Sequence, residues 1–276
     1  MLINANTAIS TSAVLLVPYS KWHVLKYHEW MKDEEIQQAT ASEPLTLEEE
    51  YAMQQSWRTD ADKLTFIVCL PLRRENNIND NNDRDEHADE DEEQQSSPSS
   101  ITITEQDDSP DRMLGDVNLF LRFDEEDDDA NTDTNTEARI VGEIELMIAE
   151  KQNQRRGFGR AALLSFLRYI VEHEADIVDE FVSSAKQQQQ QQQNQEQQQQ
   201  GALNCSSRLS CLSVKIGQSN VRSLALFESL SFRKVSPEPN YFGEFELRRT
   251  DLDLVGIRET LRRFGIEGYR EVAYNR

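Results

Sequence analysis

The sequence predicts an α/β (α+β) fold, a mixed central sheet with helices on both faces. Three features of the chain predict it. Once polar insertions are set aside, strand-like and helix-like segments follow in the order strand, two helices, three strands, helix, strand, helix, strand. Three consecutive strand segments imply an antiparallel meander, whereas the long helical pattern after residue 157 supplies the crossover that only parallel neighbours need. The change from antiparallel to parallel pairing leaves room for a ligand beside the strand ends.

In chain order, residues 13–18 are a short apolar strand stopped by Pro18. Trp22, Leu25, Tyr27, Trp30 and Met31 recur at helical spacing and predict a helix over 21–32. Thr46 and Glu49 have the form of a capping box, so a second helix is expected over 47–57. Trp22, Trp30 and Trp57 read as core residues. Residues 63–70, rich in Phe, Ile and Val, return to strand, and 113–121 alternate again. Residues 138–149 form the strongest strand pattern and lead into Gln154–Arg160. The helix that follows turns Phe158, Leu163, Leu167, Ile170 and Val171 onto one apolar face. A strand over 209–216 comes next, then a helix capped by Ser219 or Asn220, a last strand over 242–248, and a helix over 251–264 within a C-terminal extension, 250–276.

The 276 residues are read as one domain carrying insertions, because 37% hydrophobic content is low for a chain that is all core. Residues 75–137 hold 23 Asp/Glu against 3 Arg, so they account for −20 of the net charge of −22. Stretches 71–112 and 124–137 lose all periodicity and are expected to be disordered acidic insertions, and 185–207 a Gln-rich one. With the acidity confined there, no basic surface dominates and no nucleic acid partner is expected. Asp83, Asp85 and His87 lack the glycine of a calcium loop, and His23, His28 and His173 have no metal-like spacing, so no metal is expected. Cys69, Cys205 and Cys211 suggest no disulfide framework. Residues 1–12 lack a basic stretch and 13–17 are too short for a signal or a membrane span, so the expectation is a cytoplasmic protein without a membrane partner.

Gln154-Arg155-Arg156-Gly157-Phe158-Gly159-Arg160 sits between strand and helix. Two glycines let backbone amides converge, and a helix N-terminus adds partial positive charge, so the natural guest is a phosphate. Gly157, Gly159 and Ala162 have the spacing of a dinucleotide fingerprint, but residues 150–156 separate strand from glycine and no acidic strand end follows at the required distance.

The loop instead resembles the acetyl-CoA loop of the GNAT N-acetyltransferases, Gln/Arg-x-x-Gly-x-Gly/Ala, and Asn220-Val-Arg-Ser223 with the segment 226–232 is similar to that family's second acetyl-CoA segment. The segments 27–32, 41–46, 115–120 and 142–145 resemble the eukaryotic N-acetyltransferase 9 group, described as tubulin acetyltransferases. The resemblance implies a GNAT acyl-CoA N-acyltransferase fold and an enzyme that moves an acetyl group from acetyl-CoA to an amine of a protein, with tubulin as the implied partner. In that family the pantetheine lies along the fourth strand, where a bulge separates it from the fifth. Met147, Ile148 and Ala149 are the matching positions, and an N–H from this stretch would stabilise the oxyanion. Residues Arg155 to Arg160 would hold the pyrophosphate, with Gln154 at the start of the motif. Asn220 would reach the pantetheine, or serve as a helix cap, beside Ser223. Glu143 lies at the spacing of a carboxylate base on that strand, Glu145 faces the same side, and Asp116 is a candidate for holding an N-terminal ammonium. Phe227 stands where many members place a tyrosine acid, so the acid is unassigned; a module that binds acetyl-CoA without efficient catalysis is the alternative. The oligomeric state is not legible.

Overall fold

The computed structural model describes residues 1–73, 102–124, 139–193 and 207–276. In chain order its elements are β1 (Thr7–Ser10), β2 (Leu15–Pro18), α1 (Val24–Trp30), α2 (Glu34–Thr40), α3 (Leu47–Thr59), β3 (Lys63–Cys69), β4 (Met113–Phe123), β5 (Arg139–Ile148), α4 (Phe158–Glu172), α5 (Glu174–Gln193), β6 (Arg208–Gly217), α6 (Val221–Ser229), β7 (Arg233–Lys234), β8 (Glu244–Arg249), α7 (Leu254–Arg263) and β9 (Arg270–Ala273). The nine strands form one sheet in the order β7-β8-β6-β5-β4-β3-β2-β1-β9. β2 to β5 are the expected antiparallel meander, and β5 with β6 is the parallel pair.

The sheet has an apolar layer on each side because neighbouring side chains alternate faces. Phe66 meets Phe166 and Tyr169 of α4 edge-on at 5.9 and 5.3 Å, on the side where α4, α5 and α7 pack. Its neighbour Ile67 belongs to the opposite layer with Tyr19, Tyr27, Trp30 and Met147, under α1 and α3. Each such side chain, fully buried, contributes roughly 1.5–3 kcal/mol of transfer free energy. Trp30 is buried as expected, while Trp22 and Trp57 pack at the edge of that layer. The capping box of α3 is formed: Thr46 Oγ1 accepts from the Glu49 N–H at 3.3 Å, and a Glu49 oxygen accepts from the Thr46 N–H at 2.8 Å.

Several elements differ from the sequence expectation. The first helix opens as a 3-10 turn over Lys21–His23, and the expected single crossover helix is two, α4 and α5. β1, α2, β7 and β9 were not anticipated, and the last strand is β9 rather than the 242–248 segment. Only four residues long, β1 and β9 carry too little alternation to be seen alone; they exist because they pair with each other along the sheet edge, from Thr7 opposite Ala273 to Ser10 opposite Arg270.

The acidic stretch 71–112 is not disordered throughout. Its residues 74–101 lie outside the described residues, but 102–112 are folded onto the sheet. Ile103 is buried, and Asp108, fully buried, accepts from Trp22 Nε1 at 3.2 Å and Tyr274 Oη at 2.5 Å, and meets His23 Nε2 at 3.2 Å and the Arg276 guanidinium. An acidic residue with four such partners is held by its ligands rather than by hydrophobicity, which composition does not register. Burial, and the charge of Arg276, push His23 down to about 3, so it is neutral at physiological pH. The second acidic stretch, 124–137, lies outside the described residues apart from Asp124, and the Gln-rich stretch begins within α5 and continues into 194–206, also outside. Cys69 and Cys211 are free and buried. Among the described residues no helix is long and apolar enough to cross a membrane.

Candidate active site

β5 and β6 pair only from Arg139 with Arg208 to Glu143 with Ser213, and then separate. β4 stays paired with β5 as far as Gly115 opposite Ile148, so Ile144 to Ile148 keep one partnered edge and one open edge. Two adjoining cavities, of about 510 and 450 Å³, fill the opening and share Leu146, Met147, Asn220 and Ser223 as walls.

The alternation of backbone groups decides which amides face that opening. Ala149 donates its N–H to Leu114 O at 2.9 Å, toward β4, and by the two-residue period Met147 points the same way. A Cβ on Gly115 would lie 1.8 Å from Met147 O, so only glycine permits this close approach. Of the three positions expected to serve the oxyanion, Met147 and Ala149 therefore spend their backbone groups on the ladder. Ile148 turns its backbone to the cleft. Gln154 Nε2 donates to Ile148 O at 3.0 Å and ties the loop to the strand end.

The loop enters α4 through Gly157, whose φ of 90° is the left-handed conformation that favours glycine. The first α4 bond runs from the Ala161 N–H to Gly157 O, which leaves the N–H groups of Phe158, Gly159 and Arg160 without a carbonyl inside the helix. Arg155, Gly157, Gly159 and Arg160 line the larger cavity; the Arg160 guanidinium lies 4.2 Å from the Phe264 ring centre and its buried Nε has no hydrogen-bond partner among the described residues. This donor set, amides at a positive helix end with guanidinium groups around it, fits a pyrophosphate. The side chains of Arg156 and Phe158 do not line it; the Arg156 guanidinium lies 5.3 Å from the Phe158 ring centre, turned aside. Arg222, within the Asn220–Ser223 segment, lines the cavity and was not singled out by sequence; its signal was its position beside Ser223.

Asn220 is the α6 cap, its Oδ1 accepting from the Ser223 N–H at 3.1 Å, and both residues also wall the cavities. Phe227 lines the smaller cavity, 5.1 Å from the Phe232 ring and edge-on to it, with no proton to offer.

The carboxylates separate by environment. Glu143 accepts from Lys215 Nζ at 2.8 Å, a pair that bridges the separating strands. Glu145, exposed to the cleft, has no hydrogen-bond partner among the described residues; loss of solvent, then repulsion from Asp116 and Glu143, pushes its carboxyl up to about 7. Asp116, opposite Met147 on β4, is 2% exposed; burial pushes it up to about 6 against the pull of hydrogen bonds from Asn118 and Tyr27. Both bonds reach Oδ2, from Asn118 Nδ2 at 2.8 Å and from Tyr27 Oη at 3.2 Å.

No protein-family description matches the chain. Among curated proteins it is 40% identical over 264 residues to the N-acetyltransferase 9-like protein of Schizosaccharomyces pombe, covering 91% of this chain and 100% of the relative. The human alpha/beta-tubulin-N-acetyltransferase 9 is 36% identical, with 91% of this chain and 86% of that protein covered. The chain belongs to the N-acetyltransferase 9 family. It is accordingly an N-acetyltransferase. Similar solved structures include the Arabidopsis thaliana NAA60 protein in complex with acetyl-CoA (TM-score 0.45, 12% identity, 87% of this chain and 99% of that one) and an acetyltransferase from Thermus thermophilus (TM-score 0.42, 14% identity, 86% and 96%).

Proposed function

We propose that the chain transfers the acetyl group of acetyl-CoA to a primary amine of a protein, with tubulin as that protein, by direct attack in a ternary complex. One observation carries the reading: the separation of β5 from β6 sets the open backbone of Ile148 between the anion-binding start of α4 and the carboxyl of Glu145. Tubulin enters from the name of the human relative, alpha/beta-tubulin-N-acetyltransferase 9.

Acetyl-CoA supplies an activated thioester when bound. The N–H groups of Phe158, Gly159 and Arg160, with the guanidinium groups of Arg155, Arg160 and Arg222, hold the pyrophosphate. Ile148 N–H donates to the carbonyl oxygen as charge develops there. Glu145 takes a proton from the acceptor ammonium, through water, because a carboxyl near 7 is a competent base at physiological pH while remaining easy to reprotonate. Attack by the neutral amine forms the C–N bond and breaks the C–S bond. Phe227 gives the departing thiolate no proton, which comes from water. Glu143, committed to Lys215, ties β5 to β6 rather than acting as base.

The test is label transfer from radiolabelled acetyl-CoA to tubulin and to peptides with free amines, with Glu145→Gln and Glu143→Gln beside wild type. Transfer lost in Glu145→Gln and retained in Glu143→Gln is expected. Acetyl-CoA binding with no transfer to any acceptor would leave only a binding module.

A further inference from the structure

The polar wall of the smaller cavity has a feature that base catalysis does not require. Asp116 and Asn118 are 2% and 3% exposed, both line the cavity, and each keeps one buried oxygen, Oδ1, with no donor. The donors that reach the pair, Asn118 Nδ2 and Tyr27 Oη, converge on Asp116 Oδ2 alone. The nearby cation of this wall, Lys215, is bound to Glu143. The acidic groups that share the cavity with the pair are Glu145, across the strand from Asn118, Glu143 beyond it and Glu244, and among the described residues no basic side chain is directed at Asp116. Buried acceptors without donors are costly and persist where a ligand completes them.

We infer that Asp116 and Asn118 recognise the acceptor as a primary alkylammonium and hold it beside Met147 before it loses a proton. This rests on the acetyl-transfer reading for what the cleft does. An ammonium has three N–H donors and no acceptor, so it matches the Asn118 amide oxygen and the Asp116 carboxylate oxygen as no neutral group of that size does. Tyr27, whose phenol burial keeps protonated, donates to Asp116 Oδ2 and leaves Oδ1 without a donor among the described residues. Asp116 and Asn118 sit on the same face of β4, two residues apart, and Glu145 is the cross-strand partner of Asn118. An ammonium held by the first two is therefore delivered next to the base: it arrives charged, gives one proton to Glu145, and presents its freed lone pair. Asp116 and Asn118 are positioning residues in this scheme.

The experiment compares binding, in the presence of CoA, of a pooled library of short peptides with free N-termini and the same library made with a desamino first residue. Wild type should prefer the amine library about 10-fold or more, the scale of hydrogen bonds to a charged group. Asp116→Asn should lose most of that preference while binding acetyl-CoA as wild type does, and in turnover it should raise KM for the amine far more than it lowers kcat. Asn118→Ala, which leaves the carboxylate in place, should lose part of the preference and serves as the decisive variant if Asp116→Asn does not fold. Equal affinity of wild type for the two libraries, or a preference that survives both substitutions, overturns the inference. Failure of acetyl transfer by wild type is a separate result, since the preference is read from binding without turnover.

Discussion

The two halves of the cleft are built by different means. The larger cavity takes Gln154, Arg155, Gly157, Gly159 and Arg160 from one short loop, and in the proposed reading their backbone amides at the start of α4 do the anchoring, with Arg222 added from α6. The acceptor wall draws Tyr27 from α1, Asp116 and Asn118 from β4, Glu143 and Glu145 from β5 and Lys215 from β6, side chains brought together only by strand pairing. An anchoring site can thus be short in sequence, whereas a site that discriminates among proton states needs groups far apart in the chain to share one dry environment.

The sharpest way to separate the halves is Glu145→Gln, expected to lower kcat by about 10²–10⁴-fold with acetyl-CoA affinity unchanged. In wild type kcat/KM should rise with pH through about 7, as Glu145 loses its proton, and a stopped-flow pH profile of the variant should lack that limb. An unchanged profile removes Glu145 from the chemistry. Gly157→Glu is the converse. A carboxylate at the amide cradle repels phosphate, so calorimetry should find acetyl-CoA affinity lower by about 100-fold, or roughly 3 kcal/mol; equal affinity would mean that the cradle lies elsewhere.

Stability should distinguish structural from functional acids. Asp108→Ala strands buried donors from Trp22, Tyr274 and Arg276 and is expected to cost about 3–5 kcal/mol in urea unfolding. Asp116→Asn should do the opposite. The folded carboxyl lies above its unfolded value of 3.8, at about 6, so wild type is most stable below 3.8 and loses stability as pH rises through 6. Asp116→Asn escapes that loss and should be more stable than wild type at pH 8 by about 3 kcal/mol, an advantage that disappears at pH 3. Lower stability at pH 8 would make Asp116 a structural residue. The smallest effect belongs to Asn220→Ala, which loses a cap worth about 1 kcal/mol. A much larger fall in acetyl-CoA affinity than in stability would show that Asn220 also touches the ligand.

The sequence made the loop and the sheet order legible because both depend on local pattern: glycines before an amphipathic helix, and apolar alternation in strands of seven residues or more. It ranked Glu143 ahead of Glu145, since spacing along a strand says nothing of Lys215, which lies 72 residues away and neutralises the first carboxylate. It could not choose among Met147, Ile148 and Ala149, because the parity of the backbone follows from the β4 register and not from residue type. The Asp108 cluster was hidden inside acidic composition for the same reason: its partners sit at 22, 23, 274 and 276.

The direction of β5 has one more consequence. β5 begins at Arg139 and β6 at Arg208, each close behind a stretch outside the described residues. Ile148 is nine residues further along β5, about 30 Å at 3.3 Å per residue. A change in chain length just before either strand therefore enters the sheet at the end remote from Ile148.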